Sequence, residues 1–190
     1  MPDLLDGRCW WAAGDSIYEA YHDDEWGRPV RDEQRLFEKL CLEGFQAGLA
    51  WITVLRKRPR FREVFAGFAV ERVAALGPDD VDRLLADPGI IRHRGKIEAT
   101  IANARATLAL HGTGTTLTEL AWSHAPSALP APRRREDIPA QTAESRALSR
   151  ELKRLGFRFV GPTTVYAFMQ AMGLVNDHLA GCAHRPGLST

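Results

Sequence analysis

The chain has 190 residues, 25 Lys+Arg against 24 Asp+Glu, a formal net charge of +1, 45% hydrophobic residues and 26% charged residues. That mix belongs to a globular protein and excludes a disordered chain, a collagen-like repeat and a disulfide scaffold. The length suits one domain, 1–190, able to bury roughly 70% of the unfolded surface, and an odd count of three cysteines points to free thiols or a metal site.

The first 25 residues carry Asp3, Asp6, Asp15, Glu19, Asp23, Asp24 and Glu25 without an apolar run, unlike a signal or transit peptide. No stretch reaches the ~20 apolar residues of a membrane span. A cytoplasmic protein with no membrane partner is expected.

In chain order the patterning predicts helices. Tyr18 and Tyr21 stand three apart, on one side of a short helix. Asp32 caps a second helix, with Leu36 and Leu40, and Phe37 and Cys41, at i, i+4 spacing. Pro59 and Pro78 are read as first-turn prolines, each leading an apolar-periodic segment. From Gly95 a longer helix aligns Ile97, Ile101, Ala104 and Leu108, and Gly112 closes it. Four prolines and Arg133–Arg135 mark 125–140 as a loop. Residues 142–155 form an amphipathic helix stopped by Gly156, Pro162 opens another ending near Gly173, and a last short helix runs through His178. No alternating strand pattern is found. The fold class is all-α.

Charge is distributed unevenly. Residues 1–50 carry 5 basic and 11 acidic groups, 51–100 carry 10 and 7, and 101–190 carry 10 and 6. Arg56, Lys57, Arg58, Arg60 and Arg62 fall in seven residues without an acid. Arg92, Arg94 and Lys96 make a second knot beside His93, and Lys153, Arg154 and Arg158 a third. Solvated helix ends and a phosphate-contacting surface account for these knots equally well.

Three constellations carry chemistry. His178 and Cys182 are four apart, and with Cys9 and His22 they would make a Cys2His2 set if the termini meet, the kind of set a closed structural zinc site uses. Spacing alone favours four unrelated side chains, since Cys9 and His22 are widely separated. Glu43, on the face of Leu36 and Leu40, lies near Trp51 in a segment weakened by Gly44 and Gly48. A buried carboxylate ringed by Tyr18, Tyr21 and Trp51 would receive a flat cation, by stacking and cation–π attraction with the carboxylate as counter-charge. Spacing does not show that they converge. Gly89–Ile97, between two helices, can offer backbone N–H groups and the cations of Arg92, Arg94 and Lys96 to phosphates, or be an ordinary loop anchored by Ile90 and Ile91.

Residues 18–27 (YEAYHDDEWG), 42–51 (LEGFQAGLAW), 90–97 (IIRHRGKI) and 156–178, opening GFRFVGPT and closing NDH, resemble the 3-methyladenine DNA glycosylase I family from about Arg8 to Cys182. The resemblance implies the helix-hairpin-helix DNA glycosylase fold, with 88–97 as the DNA-anchoring hairpin. It implies one structural Zn2+ per chain at Cys9, His22, His178 and Cys182, stapling the two ends of the chain. It also implies a base pocket of Tyr18, Tyr21, Glu43 and Trp51. Family members commonly carry Ser before the motif tryptophan, where this chain has Ala50.

The expected activity is hydrolysis of the N-glycosidic bond of 3-methyladenine in alkylated double-stranded DNA, by a monomer needing no protein partner. The damaged base, already cationic, leaves without protonation once flipped out of the duplex. Glu43 is expected to recognise it and stabilise charge, Gly48–Leu49 to wedge into the vacated stack, and Arg92, Arg94 and Lys96 to contact phosphates. Asp177 is a weaker candidate acid. The competing readings are a lyase with Lys96 as Schiff-base nucleophile, a zinc-stabilised DNA-binding module and a hydrolase with catalytic zinc.

Overall fold

A computed structural model describes residues 3–127 and 130–186. A two-residue antiparallel hairpin, β1 (Leu4–Leu5) and β2 (Arg8–Cys9), precedes nine α-helices among the described residues. These are α1 (Ser16–Asp24), α2 (Glu33–Gln46), α3 (Trp51–Val64), α4 (Val70–Ala74), α5 (Pro78–Ala86), α6 (Arg94–His111), α7 (Leu117–Ser123), α8 (Ala143–Arg154) and α9 (Pro162–Ala171). The all-α expectation holds, and the tiny hairpin was invisible to periodicity because two residues cannot alternate.

Local sequence sets the helix ends. Asp32 accepts the backbone N–H of Arg35 at 2.8 Å and starts α2, and Asp15 accepts from Ile17 and Tyr18 to start α1. Thr116 and Glu119 form a reciprocal capping box on α7, and Pro78 occupies the first turn of α5. His93 caps α6, its Nδ1 accepting from the Lys96 N–H.

Helix α2 is the central element: every residue from Leu36 to Phe45 is buried, and it packs against α3, α6, α7 and α9. A helix buried on all sides is normally apolar throughout. The departures are Glu38, Lys39 and Glu43, each closed by an ion pair. Phe45, Phe61, Phe65 and Phe68 stack in series at centroid separations of 4.6–6.2 Å, each 0% exposed. Burying such a side chain contributes about 1.5–3 kcal/mol, which anchors α3 to α2.

Two expectations are corrected. Pro59 does not begin a helix but lies inside α3, where a proline removes a hydrogen bond and costs about 3 kcal/mol; burial of Val54, Leu55 and Phe61 on either side offsets this. The segment through His178 and Cys182 is not helical: it is a run of turns with Cys182 N–H donating to Leu179 O at 2.9 Å. The two ligand candidates therefore approach each other across a turn rather than along a helix face. The proline-rich loop 125–140 holds this segment down, Pro132 O accepting from Ala180 N–H at 2.8 Å.

Candidate functional site

The N-terminal hairpin, α1 and the C-terminal turns meet, bringing residues from both ends of the sequence together. Cys9, His22, His178 and Cys182 are all buried, and one ligand atom from each lies within 4.8 Å of the others. His178 Nδ1 is 3.4 Å from Cys182 Sγ and 4.0 Å from Cys9 Sγ, and Cys182 Sγ is 3.6 Å from His22 Nε2. Bond lengths of about 2.0–2.3 Å around a tetrahedral zinc give ligand edges of roughly 3.4–3.8 Å; the two Cys182 separations match, and the wider ones need only a small inward movement of the side chains.

The outward side of each imidazole is also arranged for a metal. His22 Nδ1 meets Asp23 Oδ1 at 2.8 Å, and His178 Nε2 donates to Trp26 O at 2.9 Å. Held this way, each ring turns a lone pair inward. Asp23 is fixed in turn by Arg8, at 2.7 Å. Gly27, with φ of 74°, sits where a Cβ would fall 2.8 Å from the His178 ring. Burial pushes the Cys9 thiol up to about 12 and His178 down to about 4, so both side chains rest uncharged. The neutral imidazole is the form that ligates a metal, and a dication would draw the thiol toward thiolate.

Next to this cluster is a cavity of about 220 Å³, below the roughly 300–1,000 Å³ of drug-sized sites and suited to a single base. Tyr18, Tyr21, Glu43 and Trp51 all line it, so the convergence that spacing left open is present. Tyr21 and Trp51 have ring centroids 5.4 Å apart, and Trp11 stands 5.0 Å from both Tyr18 and Trp26. Burial raises the Tyr21 hydroxyl well above its usual range, with Glu43 adding to the effect, so it stays a phenol at any working pH. Glu43 is 4% exposed and, among the described residues, is the one charged residue in the lining. Among the described residues Trp51 Nε1 is the one buried side-chain nitrogen or oxygen without a partner. A donor left open in an otherwise satisfied interior points to a ligand acceptor.

The sequence reading missed Trp10, Trp11, Trp26 and Gln46 in this lining. A signal was present, since three of the five tryptophans fall within the first 26 residues. It also missed Ile138, through which the proline-rich loop reaches the cavity, and Lys39 behind it. Asp177 is outside the lining and is engaged by Tyr166 Oη at 2.6 Å and Gln170 Nε2 at 2.8 Å.

The proposed DNA-facing residues divide. Gly48, with φ of 83°, and Leu49, 42% exposed, form the loop between α2 and α3 beside the cavity. Arg92 and Arg94 are exposed at the turn from α5 to α6, Arg94 near Asp82 and Glu98. Ile90 is 2% exposed and anchors that turn.

Lys96 faces the other way. Its ammonium is buried and donates to Phe45 O at 2.8 Å and Ala47 O at 2.7 Å, closing the C-terminus of α2. It is a cap rather than a phosphate contact, and its nitrogen is not free for Schiff-base chemistry. Of the acid-free run, Arg56 pairs with Asp15, Arg58 with Glu25, Arg60 with Asp87 and Arg62 with Glu38, while Lys57 donates to Pro88 O. Acids distant in sequence thus engage a cluster that looked unpaired.

Residues 11–185 match the methyladenine glycosylase family. DNA-3-methyladenine glycosylase 1 of Escherichia coli (strain K12) is 52% identical over 183 residues, 95% of this chain and 97% of that protein. A crystal structure of 3-methyladenine DNA glycosylase I superposes with a TM-score of 0.92 at 50% identity, covering 94% of this chain and all of the other. The Staphylococcus aureus 3-methyladenine DNA glycosylase I, whose structure addresses 3-methyladenine recognition, gives 0.91 at 34% identity, covering 95% and 97%. With matches this long and an aromatic cavity closed by one carboxylate, the chain belongs to the methyladenine glycosylase family.

Proposed function

We infer that the chain excises 3-methyladenine from alkylated DNA, a hydrolytic, monofunctional glycosylase. The observation that carries this is the small cavity in which one buried carboxylate, Glu43, meets Tyr18, Tyr21 and Trp51 beside an unpartnered indole N–H. It suits a flat base bearing positive charge. Relatives over nearly the whole chain carry that activity in their names.

In this reading the damaged nucleotide leaves the duplex and its base enters between the rings, Leu49 filling the gap it leaves and Arg92 and Arg94 holding phosphates. The bond from C1′ to the base nitrogen breaks with its electron pair going to the base, which becomes neutral. Water supplies hydroxide to C1′ and releases a proton to solvent, leaving an abasic site. No leaving-group acid is needed, and Glu43 acts by stabilising the charge that the base and sugar carry as they part.

Cys9, His22, His178 and Cys182 would hold a structural zinc, with both imidazoles already oriented for it. Bound there, zinc supplies cross-linking of the terminal segments and no open coordination position. A lyase reading is disfavoured by the capping role of the Lys96 ammonium. A bare DNA-binding module has no use for the aromatic cavity.

Chromatography of the base freed from a methylated duplex tests the reading. Free 3-methyladenine is expected, with no borohydride-trapped adduct on abasic DNA. A folded protein that binds DNA and frees no base overturns it.

A further inference from the structure

The cavity's acceptor groups already hold a cation of the protein's own. The Lys39 ammonium, one turn before Glu43 on α2, lies 2.8 Å from Glu43 Oε1, 2.8 Å from Tyr21 Oη and 3.2 Å from the Trp51 ring centroid. It is 4% exposed and sits outside the cavity lining, behind those three side chains. The carboxylate, the phenol oxygen and one indole face through which the pocket would attract a positive base are therefore all contacted from behind.

We propose that Lys39 is a specificity-setting residue of the base pocket: a built-in counter-cation that weakens the pocket's preference for a charged base over a neutral one of the same shape. The inference rests on the assignment of this cavity to the flipped base.

Among the described residues Glu43 is the one charged lining residue, so with Lys39 protonated the Glu43–Lys39 pair presents a dipole rather than a net negative charge. A cationic base gains less from a dipole than from a free carboxylate, and it meets Lys39 as a like charge in a poorly screened interior. A neutral isostere keeps its stacking and shape contacts and is nearly indifferent. Lys39 also keeps Glu43 paired while the cavity is empty, where an unpaired buried carboxylate would be unfavourable. The groups facing Lys39 are Glu43 on its own helix, Tyr21 and Glu25 at the end of α1, and Trp51 and Arg58 on α3. Burial lowers its ammonium to about 8, with Glu43 opposing that shift and Arg58 adding to it.

The test compares wild type, Lys39→Met, Lys39→Arg and Lys39→Met/Glu43→Gln. One readout is single-turnover release of 3-methyladenine from duplex DNA. The other is affinity for a duplex carrying 3-methyl-3-deazaadenine, an uncharged isostere. Lys39→Met should raise the ratio of cation excision to neutral affinity by roughly tenfold, Lys39→Arg should keep the wild-type ratio, and the double variant should lose the gain. Both readouts falling together in Lys39→Met, or Arg behaving as Met, overturns the proposal.

The wild-type profile decides independently if Lys39→Met does not fold. The ratio should rise as pH passes about 8, and a flat ratio overturns the proposal. Wild type that frees no base at all defeats the pocket assignment itself; base release with an unmoved ratio defeats the role of Lys39 alone.

Discussion

His178 and Trp26 join the proposed metal set to the base cavity. The His178 ring lies 4.6 Å from the Trp26 ring, and its Nε2 donates to the Trp26 carbonyl at 2.9 Å while Nδ1 faces the two thiols. Trp26 in turn lines the cavity and stands against Trp11. Anything that disorders the Cys/His cluster therefore moves a wall of the pocket. A metal held there would act on activity through position, at a distance from the reacting bond.

Metal analysis of the purified protein should give about one zinc per chain. Stripping it with a chelator, or replacing Cys182 with Ser, should lower Tm by on the order of 10 °C, the scale of losing roughly 3–5 kcal/mol in a chain of this size. Base excision should fall with it and return on adding zinc. A metal-free protein with an unchanged melting curve would remove the ligand assignment.

Arg92 and Lys96 should separate cleanly in salt titrations of DNA binding. Arg92→Ala should reduce the slope of log K against log[salt] by about 1, as expected on losing one phosphate contact. Lys96→Met should leave that slope unchanged and lower stability, because it uncaps α2 at Phe45 O and Ala47 O. Equal slope losses would return Lys96 to the DNA-contacting set.

Leu49→Gly should weaken binding to a duplex with an abasic site about tenfold more than binding to intact duplex, since a wedge matters only where the stack is vacated. Fluorescence anisotropy on the two duplexes measures this. Identical losses on both would make Leu49 a general contact.

The Glu25–Arg58 pair predicts part of the acid sensitivity. Burial alone would raise the Glu25 carboxyl, but the two hydrogen bonds from Arg58, both 2.6 Å, outweigh it and hold the group below its ordinary 4.5. The native state then binds fewer protons than the unfolded state just below pH 4.5, so the pair's stabilisation is complete above that value and lost as pH falls through the native one. Urea unfolding of wild type and Glu25→Gln should show the difference between them shrinking on acidification. A difference independent of pH would contradict the pairing.

How much the sequence disclosed depends on whether a feature is local. The Asp32 cap, the first-turn Pro78 and the stop at Gly156 act within a turn or two of chain, and the structure keeps them. Pro59 misled because its neighbours Val54 and Phe61 are buried deeply enough to hold a helix through a proline. Lys96 misled because a cation beside Arg92 and Arg94 looks like part of one basic surface. Helix α6 turns its first buried residue inward, toward carbonyls 49 and 51 positions earlier. Lys39 was unreadable for a similar reason: its partners Tyr21 and Trp51 come from other helices, and only Glu43 is a sequence neighbour. Periodicity places a residue on a face but does not say what that face meets.

Excision as proposed depends on the Glu43 carboxylate in this aromatic cavity. Single-turnover release of 3-methyladenine from a duplex by Glu43→Gln, with affinity for the same duplex measured alongside, tests it most directly. Release should slow by roughly 10²–10³-fold, with DNA affinity within a few-fold of wild type. Release at the wild-type rate by the folded variant would contradict it.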